Sequence, residues 1–270
     1  MTDASRAARG LVLLGCGKMG SAMLQGWLDR GMSPEQVWVL DPVPSDWLMG
    51  TGVHVNDPLP EYPGIVLIAV KPQMMGDALP AIQALGGGET VFVSVAAGTS
   101  LSAFEDAFGA TTPIVRAMPN TPAAVGQGIT AICANAPGQA ALDEAEMLLS
   151  AVGEVVRLDG EHQMDAVTGV SGSGPAYVFH LIETLAAGGE AQGLPADLAM
   201  RLAKATVAGA GALAMSADED PAQLRINVTS PNGTTQAALE VLMDQACGFP
   251  ALLPRAVAAA TRRSGELARG

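Results

Sequence analysis

Leu11-Val12-Leu13-Leu14-Gly15-Cys16-Gly17-Lys18-Met19-Gly20 is the stretch on which the reading of this 270-residue chain turns. Four consecutive apolar residues have the length of a buried strand, three spaced glycines follow at once, and a helical pattern then runs through Leu28. Strand, glycine-rich turn and helix in that order give a G-x-G-x-x-G run its meaning. Gly15 permits the tight turn, Gly17 lets backbone approach a pyrophosphate, and Gly20 lets the helix lie close to the strand. The helix start then presents unpaired N–H groups and the positive end of its dipole to the phosphates. Gly15, Cys16, Gly17, Lys18, Met19 and Gly20 are therefore expected to hold a dinucleotide, against the blander reading of a chance glycine-rich turn.

Outward from this loop, the pattern is that of an α/β half. A second strand at 37–40 ends on Asp41-Pro42. An acidic residue about twenty positions beyond the glycines accepts hydrogen bonds from the adenosine ribose and repels a 2′-phosphate, so Asp41 favours NADH over NADPH. The alternative is that Asp41 starts a turn with Pro42 and faces solvent. A short third strand at 53–55 precedes Asn56, which joins the expected cofactor set. The fourth strand, 65–70, ends in Lys71-Pro72, and the fifth, 91–95, leads into Ala96-Ala97-Gly98. Ligands bind at the carboxyl ends of such strands, so Ala69, Val70, Lys71 and Pro72 are candidates there. Lys71 either reaches the cofactor's phosphate or ribose or is merely solvated. Ala96 and Gly98 are small enough to let a nicotinamide ring pass close to backbone. A strand at 114–118 runs into Pro119-Asn120-Thr121-Pro122, which either carries Asn120 to the cleft or only turns the chain. A strand at 129–133, a helix at 138–152 and a strand at 154–158 complete the half.

Beyond Asp159-Gly160 the character changes. No strand pattern is found from Glu161 onward, only Ala-, Leu- and Met-rich helical stretches broken by Gly and Pro. The expected division is a Rossmann-type dinucleotide-binding domain over 1–160 and an all-helical domain over 161–270. The fold class is thus α/β, a doubly wound, mainly parallel sheet followed by a helical domain. The helices expected at 197–217 and 235–263 lack a polar face wide enough for an isolated surface helix, which implies a second copy and an obligate homodimer. Val228-Thr229-Ser230-Pro231-Asn232-Gly233-Thr234-Thr235 is a turn cluster leading into a helix. It reads as a small-carboxylate site made of backbone N–H groups, or as an ordinary capped helix start.

The 27 acidic against 14 basic residues, a formal charge of -13, exclude a phosphate-tracking nucleic-acid surface and point to a small-molecule partner. The three cysteines, Cys16, Cys133 and Cys247, form no paired motif for zinc or a redox dithiol, so no metal is expected. Residues 1–10 are polar and carry no signal-peptide core, so a reducing cytoplasmic setting is expected. The uncharged run between Lys204 and Asp218 falls short of the ~20 apolar residues that cross a bilayer and reads as a buried helix.

With these residues in view, the chain resembles the pyrroline-5-carboxylate reductases over nearly its whole length. The resemblance is carried by Gly15 to Gly20 after the first strand, Ala69-Val70-Lys71-Pro72, Met118-Pro119-Asn120-Thr121-Pro122, and the run from Asp165 to Tyr177 containing Ser171-Gly172-Ser173-Gly174-Pro175. Most specific, with that run, is the 228–235 stretch. The resemblance implies reduction of 1-pyrroline-5-carboxylate to L-proline by NADPH or NADH, the last step of proline synthesis. It also implies a helical dimerisation domain interlocked with a partner's. Ser230, Asn232, Gly233, Thr234 and Thr235 would then hold the substrate carboxylate, with the Thr235 hydroxyl near the ring nitrogen as the catalytic group. Glu161 and Asn227 would lie at the nicotinamide end of the cofactor. Two departures stand out: Asn232 where many members have glycine, and Asp41 where NADP-preferring members have Ser, Asn or Arg. The nearest alternative is an NAD(P)-dependent reductase of another small cyclic imine or a hydroxy acid, for which Lys204 on a long helix would serve as the acid. A non-catalytic dinucleotide sensor would leave 228–235 unexplained.

Overall fold

The structure is a computed structural model that describes residues 6–268. Residues 1–5, part of the polar N-terminal segment read above, lie outside the described residues, as do 269–270. The chain divides into two compact units, one ending at Gly172 and joined again by the residues from Ala260, the other spanning Ser173–Ala259. The change of sequence character at 160 therefore precedes the structural division by twelve residues. Met164 explains the difference, because it is buried in the core of the first unit.

The first unit is built on an eight-stranded sheet of order β3-β2-β1-β4-β5-β6-β7-β8. In chain order its elements are β1 (Leu11–Leu14), α1 (Lys18–Asp29), β2 (Val37–Leu40), the one-turn helix α2 (Asp46–Met49), β3 (His54–Val55), β4 (Ile65–Ile68), α3 (Met75–Ala78), β5 (Val91–Ser94) and α4 (Leu101–Phe108). After these come β6 (Ile114–Met118), β7 (Gly128–Ala134), α5 (Leu142–Leu149), β8 (Gly153–Arg157) and α6 (Met164–Val167). All neighbouring strands are parallel except β6 and β7. β1, β4 and β5 are buried along their whole length, the consequence of helices on both faces of a parallel sheet. Leu11, Leu13, Met23, Leu24, Trp27 and Leu149 close one face, and Val12, Leu14, Ile68, Phe92, Phe104 and Phe108 the other. Trp27 adds a buried hydrogen bond from its indole Nε1 to the Leu148 carbonyl, 2.9 Å, tying α1 to α5.

The second unit holds α7 (Gly174–Ala191), α8 (Ala196–Ser216), α9 (Pro221–Asn227), α10 (Thr234–Leu242) and most of α11 (Phe249–Leu267). A π-helical turn at Thr168–Gly172 precedes it. The helix expected at 235–263 is two helices. Asp244 Oδ1 accepts the N–H groups of Ala246 and Cys247, both at 2.8 Å, which ends α10, and a side chain at Gly248 would meet the Leu242 carbonyl. α7 and α8 approach closely through small residues, with Ala186, Ala199 and Ala203 buried. Little else in this unit is covered by its own chain. α8, expected to be buried, is only 11% buried over its apolar window, and by length and composition alone its 21 residues at mean hydropathy 1.2 are enough to cross a membrane. His180 is exposed on α7 and paired with Glu183 at 3.2 Å.

Candidate active site

At the carboxyl edge of the parallel strands, the glycine loop has the geometry its sequence requires. Gly15 has φ +89°, and a side chain there would press on Val70 Cγ1 at 2.8 Å. A side chain at Gly20 would collide with the Gly15 carbonyl, so α1 lies against the turn only because both are glycine. Gly17 is different: a Cβ there would meet nothing within 4 Å. Gly17 caps α1 with φ -70° and ψ -161°, and no side chain satisfies the first N–H groups. An uncapped helix start with open space over its capping glycine suits a pyrophosphate. Lys18 is exposed at the first position of the helix, and Lys71 is exposed just past β4, which pairs with β1. Neither makes an ion pair among the described residues, so both cations are available to phosphate.

Asp41 follows β2, and both its carboxylate oxygens are already engaged. Oδ2 accepts the Cys16 N–H at 2.7 Å, and Oδ1 accepts the Val43 N–H at 2.8 Å. Asp41 thus starts a turn, as one reading of the sequence had it, yet it points at the glycine loop and not simply into solvent. Each carboxylate oxygen carries two acceptor sites, so one on each remains for ribose hydroxyls. Asn56 has φ +55° and turns its amide onto the Asp41 backbone. Burial, with the Asp41 charge adding to it, pushes the Cys16 thiol up to about 11, so Cys16 is a neutral spacer in the loop.

Ala69 continues the β1–β4 ladder through its N–H to the Leu14 carbonyl, 2.8 Å, and Val70 lies beside Gly15. Pro72 opens a short 3-10 turn capped by Lys71. Ala96 is buried, its N–H on Ser94 Oγ at 3.2 Å. At Gly98 a Cβ would lie 3.5 Å from Leu267 Cβ, so this glycine packs on the end of α11. The Asn120 amide is held by backbone. Its Nδ2 donates to the Ser171 carbonyl at 3.2 Å and its Oδ1 accepts from Ile129 N–H at 3.0 Å, so it clamps its loop to the π-helical turn.

Glu161 sits in a polar cluster that the sequence reading missed. Its Oε1 accepts from Arg116 Nη1 at 2.6 Å and from the Leu101 N–H at 2.8 Å. Arg116 is 4% exposed in the middle of β6, and the signal that could have found it is the lone charge in Ile114-Val115-Arg116-Ala117-Met118. The carboxylate therefore neutralises a buried guanidinium and caps the start of α4.

In the second unit the 228–235 stretch forms a turn. Gly233 N–H bonds the Ser230 carbonyl at 3.0 Å, Asn232 adopts φ +58°, and its N–H is held by Gln236 Oε1 at 2.7 Å. Gln236 thus reaches back over the turn as the acidic or amide residue of a capping box does. Gly233 caps α10 without a side-chain bond, leaving the first N–H groups of Thr234 and Thr235 to an anion. Ser230, Asn232 and Thr234 are exposed and Thr235 is half-buried. Asn227, at the end of α9, accepts from Gln223 Nε2 at 2.8 Å. Lys204 is exposed on α8. Among the described residues no cluster of His, Cys, Asp or Glu could hold a metal ion.

The chain matches a family profile described as pyrroline-5-carboxylate reductase dimerisation over residues 161–267. A second profile, described as NADP oxidoreductase coenzyme F420-dependent, matches residues 10–98. Pyrroline-5-carboxylate reductase of Pseudomonas aeruginosa is 40% identical over 265 residues, 96% of each chain. That of Synechocystis is 43% identical over 269 residues, 96% of this chain and 98% of the relative. Among solved structures, a pyrroline-5-carboxylate reductase from Coxiella burnetii superposes with a TM-score of 0.90 at 31% identity, covering 97% of this chain and 99% of that one. A Plasmodium falciparum pyrroline carboxylate reductase with NADP bound gives 0.82 at 28% identity, covering 96% and 98%. Alignment from end to end at this identity leaves one conclusion: the chain belongs to the pyrroline-5-carboxylate reductase family.

Proposed function

We propose that the protein reduces 1-pyrroline-5-carboxylate to L-proline, the final step of proline synthesis, with a nicotinamide dinucleotide as reductant. The carrying observation is the 40% identity over 96% of both chains to a protein of that name, with the 230–235 turn standing as an uncapped helix start. When bound, the reduced cofactor supplies a hydride to the C=N carbon. This chain's own residues have modest work to do, because a protonated cyclic imine is already a strong electrophile.

In this reading the turn's N–H groups, led by Thr234 and Thr235, neutralise the substrate carboxylate. Ser230 and Asn232 line the same turn, and Gly233 leaves room for the Ser230 hydroxyl, which a side chain there would meet. The Thr235 hydroxyl hydrogen-bonds the ring nitrogen and is the catalytic residue. Gly15 to Gly20, Lys18 and Lys71 hold the pyrophosphate, and Asp41 binds the adenosine ribose and disfavours a 2′-phosphate, so NADH is the preferred cofactor. The absence of Arg immediately after Asp41 supports this. The second carboxylate oxygen of Glu161 and the amide nitrogen of Asn227 serve at the nicotinamide end.

The working form is a homodimer built on the helical unit. Phe179, Leu185, Leu202, Leu213, Ile226 and Val241 are all more than a third exposed in the lone chain, far more apolar surface than an isolated unit leaves to water. The same coverage accounts for α8 without a bilayer. Free cysteines at 16, 133 and 247 support a reducing, cytoplasmic setting. The test is oxidation of NADH, and separately NADPH, with pyrroline-5-carboxylate and chiral identification of the product. Turnover to L-proline supports the reading, and failure with both cofactors overturns it.

A further inference from the structure

Asn56 is one of two non-glycine residues with positive φ among the described residues, and the other, Asn232, lies in the substrate turn. β3 is only two residues long, pairing Trp38 with His54 and Val39 with Val55. The backbone of Asn56 makes one more rung, its N–H to the Val39 carbonyl at 2.9 Å, and then turns away at φ +55°. Its side chain takes over where the backbone leaves. Oδ1 accepts the Asp41 N–H at 3.0 Å and Nδ2 donates to the Asp41 carbonyl at 2.8 Å, so both backbone groups of Asp41 are held as a neighbouring strand would hold them. Held in this way, the Asp41 carboxylate spans two loops, Cys16 N–H on one side and Val43 N–H on the other.

We infer that Asn56 is a positioning residue for cofactor choice: its amide fixes the Asp41 backbone so that the carboxylate is aimed at the adenosine ribose. The inference rests on the reading that Asp41 discriminates NADH from NADPH. The physical reason is geometric. Accepting ribose hydroxyls needs oxygen positions accurate to a few tenths of an ångström, and repulsion of a 2′-phosphate weakens once the carboxylate is free to swing into water. A purely structural Asn56 would weaken both cofactors alike, whereas a residue acting through Asp41 changes their ratio.

The experiment is fluorescence titration of the purified protein with NADH and with NADPH, giving a ratio of dissociation constants for the parent, Asp41→Ser, Asn56→Gly and the double variant. Glycine keeps the left-handed backbone and removes only the amide. Asp41→Ser should shift the ratio toward NADPH by about tenfold, the order of one charge-assisted hydrogen bond, and Asn56→Gly by several-fold in the same direction. The double variant should match Asp41→Ser alone, because Asn56 has nothing left to aim. In the cofactor-free protein, the Cys16 amide should also exchange faster in Asn56→Gly. An unchanged ratio in Asn56→Gly, with a shifted one in Asp41→Ser, overturns the inference and leaves the Asp41 reading standing. Additive effects in the double variant also overturn it, by showing that Asn56 acts on the cofactor directly. An unchanged ratio in Asp41→Ser removes the Asp41 reading and the inference together. If Asn56→Gly melts below assay temperature, all four proteins are titrated at a lower common temperature, with the same outcomes.

Discussion

Substituting alanine at Gly17 and at Gly20 should separate binding from folding within one loop. At Gly20 the added methyl collides with the Gly15 carbonyl and reaches 3.2 Å from the Gly15 carbonyl carbon, both backbone atoms that cannot rotate aside. α1 must then lift from the turn, and overpacking of this kind costs about 1–3 kcal/mol. For a domain of this size each kcal/mol lowers Tm by about 2–4 °C, so Gly20→Ala should fall by roughly 2–12 °C. At Gly17 the methyl enters open space at φ -70°, an ordinary value for any residue, so the fold is spared. Loss of a favoured capping glycine costs at most ~1 kcal/mol there. That open space is where the pyrophosphate would lie, and a methyl would push it off the helix N–H groups. Losing one charge-assisted hydrogen bond of about 1.5–3 kcal/mol weakens binding roughly 10- to 100-fold. Differential scanning fluorimetry without ligand and titration with NADH measure the two effects. If Gly17→Ala bound NADH within twofold of the parent, or melted as low as Gly20→Ala, the assignment of this loop would be refuted.

Thr235→Ala should lower kcat by about 10²-fold, the usual effect of deleting one donor at a reacting centre, with the NADH dissociation constant unchanged and Thr235→Ser largely active. Asn232→Val, which forces a β-branched residue to φ +58°, should lose about 1–2 kcal/mol and raise KM for the imine, whereas Asn232→Gly should do neither, as thermal melts and steady-state kinetics would show. Glu161→Ala leaves the Arg116 guanidinium buried without its carboxylate. Because Glu161 keeps 30% side-chain exposure, the expected loss is about 2–3 kcal/mol, below the fully buried range, and is read from urea midpoints. The Cys16 and Cys133 thiols are both pushed from 9.0 to about 11, chiefly by burial. Above pH ~9 the unfolded chain releases protons that the folded one keeps. Stability is therefore intact below pH 9 and declines toward pH 11, and Cys133→Ala should flatten part of that decline in urea titrations.

The glycine loop and the buried strands were legible because their causes are local: glycines at 15 and 20 answer steric demands, and an unbroken apolar run such as Ile65–Ile68 needs cover on both faces. The break between α10 and α11 was missed because an Asp side chain competing for two N–H groups leaves no mark on hydrophobic periodicity. α8 read as buried because apolar composition reports that a face needs cover, not which chain supplies it. Arg116 and Glu161 are 45 residues apart, so their pairing had no sequence signature beyond a charge in a strand. Asn120 was read as carried to the cleft or merely turning the chain, and the bonds of its amide to Ser171 and Ile129 reach residues that no local pattern links to it. The Asp41 reading drew on a spacing rule, yet the contacts that aim its carboxylate come from Cys16, Val43 and Asn56 together.

The central claim is hydride transfer from the nicotinamide to the imine carbon, and isotope transfer tests it most directly. The protein, pyrroline-5-carboxylate and NADH carrying deuterium at both hydrogens on C4 of the reduced ring are incubated, and the proline formed is examined by mass spectrometry and NMR. The account predicts L-proline with one deuterium at C5. Oxidation of the cofactor with no deuterium in proline, or no proline at all, would contradict it.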